Sequence, residues 1–293
     1  MTAELHCHSL CSVDGWATPE EIAERAGAAG IATLSLTDHN CLDGLGRCRS
    51  RAEALGLRFI DGVEFDADWR GGEYHFLGFG FDPADRALGE LCRKQFLQYE
   101  INFARFLPVI KRRFGVGEAE MRAALPVRYR GHPAPVVNKW FARGFLLARG
   151  FFPDEATATR EMSQVATEAE QAFAQPWDWA SFEEVRDAVH AAGGIILVAH
   201  PAGIRRGDLA GQLAFIGELM AAGLDGFELY HPANTGEPHF EALVAEARRL
   251  GCAVSGGSDV HLGPGTGGRG APGAAAPDWV VASIDAALMK RRG

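Results

Sequence analysis

The sequence predicts an α/β fold: a barrel of about seven strands alternating with helices, interrupted by one helical insertion. Three observations lead there. Short apolar runs alternate with capped, amphipathic stretches over 1–84 and again over 176–293. Residues 85–175 break the alternation, being rich in Arg, Ala and Phe at helical spacing, as in CRKQFLQYEINFARFLPVIKRRF. No G-x-G-x-x-G follows the first strand, which weakens a dinucleotide-binding sheet. Right-handed βα units in such a number close into a barrel more readily than they stay open.

Each element has a local cause. Residues 3–8 read as a strand that delivers His6 and His8. Thr18-Pro19-Glu20-Glu21 starts a helix: Thr18 caps, Pro19 suits the first turn, and Glu21 completes a capping box. That helix stops near Gly30. Residues 31–37 form a second strand ending at Asp38-His39, and a helix over 43–55 stops at Gly56. Residues 57–64 are a third strand ending at Glu64, and 73–81 a fourth carrying His75. After the insertion, Ser181 and Glu184 form a second capping box, and the helix they open ends at Gly193-Gly194. Strands follow at 195–199, 225–230 and 252–256, with helices over 208–222 and 236–250 between them. The Gly-, Ala- and Pro-rich stretch 263–277 reads as a mobile loop before a last helix from about Asp278.

Composition narrows the function classes. With 293 residues and 47% hydrophobic content, the chain can bury a sizeable core. It has no apolar run long enough for a membrane span and no signal-peptide pattern, so a cytoplasmic location is expected. A formal charge of −9 argues against stable nucleic-acid binding. It does not exclude a phosphorylated substrate, because bound divalent ions place positive charge where phosphate needs it. Cys7, Cys11, Cys41, Cys48, Cys92 and Cys252 form no C-x-x-C pair and read as reduced, mostly buried thiols.

The chemistry gathers just past the apolar runs. His6 and His8 are two apart, so on a strand both imidazoles face one space. Thr37-Asp38-His39, Glu64, His75, Ala199-His200-Pro201 and Ser258-Asp259-Val260-His261 occupy the same kind of position, and Asp14 lies in the loop after His8. Each alone could be a polar strand terminus. Together, histidines and carboxylates at the mouth of a parallel β structure are the material of a metal-hydrolase centre.

The H-x-H, T-D-H, strand-end Glu, A-H-P and S-D-x-H motifs resemble those of the polymerase and histidinol phosphatase (PHP) superfamily, over about residues 3–80 and 180–262. The resemblance implies a distorted (β/α)7 barrel, formed by 1–84 and 176–293, with insertion 85–175 covering the active-site mouth. It also implies two or three divalent metal ions (Mn, Zn or Fe). Carried over by motif, the first site uses His6, His8, Glu64 and Asp259; the second uses Asp14, His39 and His261; the third uses His75 and His200, with Glu64 bridging to the first. Some members carry His where Asp14 stands, and the acid resembles the small-molecule phosphoesterases. The implied activity is phosphoester hydrolysis of a small phosphorylated metabolite, a nucleotide or ribose phosphate, by attack of a metal-bound hydroxide on phosphorus.

Other polar residues are candidates for substrate contacts. His231 ends the strand GFELY at the same mouth and could bind substrate or protonate the leaving oxygen. Arg130, His132, Lys139 and Arg143 form a basic group in the insertion, and Arg205 and Arg206 follow the His200 loop; any of them could hold a further phosphate. Members that act on nucleoside 3′,5′-bisphosphates carry Arg-x-His-Phe-Ala in the insertion, where this chain reads Arg-Gly-His-Pro-Ala-Pro. His190 and His239 read as structural helix residues, the latter exposed. A nuclease, an amidohydrolase-type C–N hydrolase and a non-catalytic metal-binding module are the rival readings.

Overall fold

Two sheets carry the strands in the computed structural model, which describes residues 2–124, 138–172, 178–204, 207–261 and 276–293. The first is parallel and has the order β1 (Thr2–Glu4), β2 (Ile31–Leu34), β3 (Arg58–Phe59). The second runs β4 (Gly62–Trp69), β5 (Gly72–Phe79), β6 (Ile195–Val198), β7 (Gly226–Tyr230), β8 (Ala253–Gly256). Single backbone pairs link the sheets at both ends, Cys7 with Val260 and His39 with Glu64. The strands are thus mixed α/β, but they do not form one continuous ladder.

Two expectations change here. The run 57–64 is not one strand: Ile60 and Asp61 separate β3 from β4, and Glu64 lies inside an eight-residue strand rather than at its end. The strand carrying His75 is antiparallel to both neighbours. Arg70 and Gly71 join β4 to β5 with φ of 54° and 82°, the left-handed pair of a two-residue hairpin turn. A loop that short cannot make the crossover a parallel pair requires.

The first helices are α1 (Pro19–Ala28) and α2 (Leu45–Ala54). Among the described residues, four more occupy the middle of the chain: α3 (Arg86–Phe114), α4 (Glu118–Ala123), α5 (Lys139–Ala148) and α6 (Glu155–Ala172). Then come α7 (Phe182–Ala191), α8 (Pro201–Ile204), α9 (Leu209–Ala221), α10 (Pro232–Thr235), α11 (Phe240–Leu250) and α12 (Asp278–Arg292). Both predicted capping boxes are formed: Thr18 Oγ1 accepts the Glu21 N–H, Ser181 Oγ accepts the Glu184 N–H, and each Glu reaches back to the cap. The predicted loop over 263–277 falls largely outside the described residues.

One apolar core fills the space between sheets and helices, with Phe65, Phe76, Phe79, Phe182 and Phe227 fully buried. α3 to α6 share a second core around Phe106, Ile110, Met121, Leu146 and Val165. A third cluster joins α3 to the loop after His8: Leu10, Cys11, Val13 and Cys41 pack on Phe96 and Tyr99, with Trp16, Trp140 and Trp179 beside them. All six cysteines are free and all but Cys252 are buried. Cys7 points into the core and donates to the Ser35 carbonyl at 3.2 Å, which leaves its neighbours His6 and His8 facing the mouth. His190 has the structural role its helix suggests, with Nε2 2.7 Å from Asp225. His239 is partly buried at the start of α11, 3.1 Å from Gln212, not exposed on a helix. No helix among the described residues is long and apolar enough to cross a membrane.

Candidate metal centre

Glu64 is the hub. Its side chain is buried, and its two oxygens face different groups. Oε2 lies 3.0 Å from His6 Nε2, 3.2 Å from His8 Nε2 and 3.3 Å from His39 Nε2. Oε1 lies 3.0 Å from His75 Nδ1 and 3.4 Å from His200 Nε2. Asp259 Oδ1 sits 3.6 Å from His6 Nε2 and 3.3 Å from His8 Nε2. On the far side, Asp14 Oδ2 lies 2.9 Å from His261 Nε2 and 3.6 Å from His39 Nε2. Every predicted ligand therefore converges on one space.

The donor atoms overlap in sets. His6, His8, Glu64 and Asp259 place one atom each within 4.8 Å of one another; so do His8, Asp14, His39 and His261, and so do His39, Glu64 and His75. His8 Nε2, His39 Nδ1 and Glu64 Oε1 are buried and face charged neighbours at 3.0–3.3 Å without well-aligned hydrogen bonds. Buried polar atoms held in poor hydrogen-bond geometry are costly, and a cation that displaces the ring protons would satisfy the imidazole and carboxylate lone pairs together. Imidazole and carboxylate donors at this separation fit a divalent first-row metal.

Electrostatics shows how strongly the groups couple. Burial alone would lower the pKa of His8, but bonds to Asp259 and Glu64 outweigh it and push the ring up to about 10. The same contest raises His6, His39 and His75, where Glu64 is the leading opposing charge. Burial would raise Glu64, yet His6, His39 and His75 hold it well below the ordinary carboxylate range. Asp14 and Asp259 are likewise held low, against their burial, by the histidines that face them. His200 differs: burial dominates and lowers it, favouring the neutral ring that ligates metals.

Carboxylates one layer out hold the donors in place, and most were not read from the sequence. Glu228 Oε1 lies 2.9 Å from His6 Nδ1, and its Oε2 accepts the His200 backbone N–H at 2.8 Å. Asp66 faces His39 Nδ1 at 3.3 Å and His75 Nε2 at 3.2 Å. Glu4 accepts Ser258 N–H at 2.9 Å and Ser258 O–H at 2.7 Å, tying β1 to the loop that carries Asp259 and His261. Asp38 takes both donors of Ser9, and burial pushes its pKa up to about 6. A signal existed for two of these. Glu4 and Asp66 continue the period-two pattern of His6–His8 and of Glu64, so they share those faces. Glu228 lies inside the apolar run GFELY and gave no such sign.

The loops that deliver the donors are strained. Asn40, His200 and Asp259 have φ of 48°, 31° and 53°, a region that costs a non-glycine residue about 1–3 kcal/mol and persists where surroundings over-determine it. Gly257 permits a close approach: a Cβ there would lie 2.4 Å from the His6 backbone nitrogen.

The remaining candidates are spread out. His231 joins the centre, with Nε2 3.6 Å from Asp259 Oδ2. Arg143 pairs with Glu155 at 3.0 Å, joining α5 to α6. Lys139 is exposed, its ammonium 4.3 Å from the Trp140 ring centre. Arg130, His132, Arg205 and Arg206 lie outside the described residues.

Comparison with known proteins agrees with this geometry. The PHP domain pattern matches residues 4–107. The 3′,5′-nucleoside bisphosphate phosphatase of Chromobacterium violaceum is 33% identical over 269 residues, 91% of this chain and 89% of that protein. The chain belongs to the PHP family. A second relative, a 5′-3′ exoribonuclease of Haemophilus influenzae, is 29% identical over 88% of this chain and 89% of its own. Among solved structures, a Bifidobacterium adolescentis protein assigned as a metal-dependent phosphoesterase superposes with a TM-score of 0.78, at 25% identity, over 97% of this chain and 96% of that one.

Proposed function

We propose that this PHP protein is a metal-dependent phosphoesterase acting on a small phosphorylated metabolite, a nucleotide or ribose phosphate, as a monoester or a cyclic diester. The observation that carries the reading is Glu64, one buried carboxylate whose two oxygens face separate groups of imidazoles. His6, His8, Glu64 and Asp259 would hold one divalent ion, Asp14, His39 and His261 a second, and His75 with His200 a third that shares Glu64. Mn, Zn and Fe all suit these donors. Such ions, when bound, supply Lewis acidity toward phosphoryl oxygens and lower the pKa of water.

The chain's own groups would orient that chemistry. Glu228 and Asp66 fix the rings of His6, His39 and His75 from behind, as carboxylate partners of metal-bound histidines do. His231 Nδ1 accepts the Ala233 N–H at 3.0 Å. The proton of its neutral ring therefore sits on Nε2, which is buried and lies 3.6 Å from Asp259 Oδ2, too far for a strong hydrogen bond. That N–H is available to a substrate oxygen or to the departing alkoxide. We read the two sheets together as a distorted barrel, with helices α3 to α6 over its mouth.

The test is phosphate release from a panel of phosphomonoesters and cyclic diesters, after chelator treatment and after reloading with Mn. Activity should vanish and return. His39→Ala and Asp259→Ala should each lower turnover by about 100-fold or more, beyond what loss of an outer partner costs. Near-normal rates in folded variants would overturn the mechanism. The exoribonuclease relative favours a second reading, a 5′-3′ exonuclease. A net charge of −9 counts against it. Faster hydrolysis of oligoribonucleotides than of mononucleotides would decide for it.

A further inference from the structure

Beside the metal centre lies a cavity of about 120 Å³ that, among the described residues, no predicted metal ligand or arginine lines. Its walls are aromatic: Tyr99, Phe103, Phe106, Trp140 and Trp179. Trp140 and Trp179 both stand edge-on to Tyr99, with ring centres 5.9 and 5.0 Å away. Tyr99 connects this cavity to the centre. Its hydroxyl donates to Asp66, which faces His39 and His75, and its ring centre is 6.3 Å from that of His39. Glu73, on the cavity wall, has a carboxylate oxygen within 4.8 Å of His75 and Asp66 donor atoms.

Two details of the lining select a ligand. Trp179 Nε1 and Asn102 Nδ2 are buried N–H donors with no acceptor, and Asn102 is only 5% exposed. Leaving such donors unpaired costs about 1–3 kcal/mol each, so they call for a group that brings acceptors. The charges disfavour an anion: among the described lining residues, Glu73 and Glu170 outnumber Lys139, whose ammonium already lies over Trp140. The orphan N–H donors disfavour a cation. The volume is that of about four waters at roughly 30 Å³ each, well under the roughly 300 Å³ of a whole-ligand pocket. It suits one fragment of a substrate.

We infer that this cavity is the subsite for the non-phosphate end of the substrate, and that it takes a flat, uncharged heteroaromatic ring carrying hydrogen-bond acceptors on its edge. The inference rests on the phosphoesterase reading for the other end. Aromatic walls stack on a ring face at about 1–3 kcal/mol per ring, and the two N–H groups read its edge.

The test uses the full chain loaded with Mn. The probes are adenosine 5′-monophosphate (two fused rings), pyridoxine 5′-phosphate (one ring) and glycerol 3-phosphate (none). The wild type should prefer at least one ring-bearing ester over glycerol 3-phosphate in kcat/KM. Trp179→Phe, which keeps a ring and removes the N–H, should reduce that preference about fivefold. Trp179→Leu, which removes the stacking face too, should reduce it about tenfold or more. Most of the change should fall on KM. Equal kcat/KM for all three esters, or a preference that survives in folded Trp179→Leu, overturns the subsite and leaves the phosphoesterase reading intact. Absence of phosphate release from every ester overturns that reading instead. Binding of adenosine alone then decides the subsite: saturable quenching of tryptophan fluorescence in the wild type, weakened in Trp179→Leu beyond the loss of one fluorophore, supports it, and no saturable quenching overturns it.

Discussion

Replacing Glu228 by Gln removes one charge from a fully buried site and leaves every heavy-atom position filled. In the wild type both carboxylate oxygens are used: Oε1 faces His6 Nδ1 at 2.9 Å and Oε2 accepts the His200 N–H at 2.8 Å. Both partners need an acceptor when His6 Nε2 is free to ligate, since its ring proton is then on Nδ1. Gln offers one acceptor, so in either orientation its NH2 meets an N–H. One buried donor is left unpaired, at about 1–3 kcal/mol. The outer carboxylate of a metal-bound histidine is worth about 10–100-fold in affinity, or roughly 1.4–2.8 kcal/mol at 1.4 per tenfold. The two estimates agree. Competition for Mn with a fluorescent chelator, on wild type and Glu228→Gln verified as folded by circular dichroism, should show a loss within that range. A variant that binds Mn within twofold of wild type would refute the idea that Glu228 orients His6.

Two further outcomes follow from the charge distribution. His8, pushed up to about 10 by Asp259 and Glu64, is protonated at neutral pH before a cation binds. Its raised pKa adds stability to the ion-free protein that is full below about 6.5 and is lost as pH rises toward about 10. Metal binding must expel that proton, so Mn affinity should rise with pH across the same window, and calorimetric heats should depend on the buffer's ionisation enthalpy. Heats independent of buffer would contradict the coupling. Asp225 joins His190 at 2.7 Å, the Ile196 N–H at 2.9 Å and Arg291 at 2.6 Å. Burial would raise it, but these partners hold it below the ordinary value. A lowered pKa gives stability that is complete above the unfolded-state value of about 3.9 and lost as pH falls through the native one. Asp225→Asn should cost about 1–3 kcal/mol at neutral pH and flatten the acid limb of stability against pH. An unchanged acid limb would show that this carboxylate does not carry it.

What the sequence by itself determined is local. Period-two spacing put His6 and His8 on one face, Thr18 with Glu21 and Ser181 with Glu184 marked helix starts, and His39, His200, Asp259 and His261 stand past strand ends as their apolar runs predicted, whereas Glu64 and His75 lie within strands. The same rule reaches Glu4 and Asp66, because a strand's faces follow from backbone geometry alone. Tertiary structure decided the rest. The Arg70-Gly71 turn folds β5 back on β4, so His75 meets Glu64 from an antiparallel neighbour. Glu228, hidden inside an apolar strand, becomes the partner of a histidine 222 residues away. Tyr99 reaches from α3 to Asp66 and sets an aromatic cavity against the centre. Periodicity along a chain records which way a side chain points. Which distant side chains it then meets depends on strand order, register and turn chirality, and these are set by the packing of the whole core.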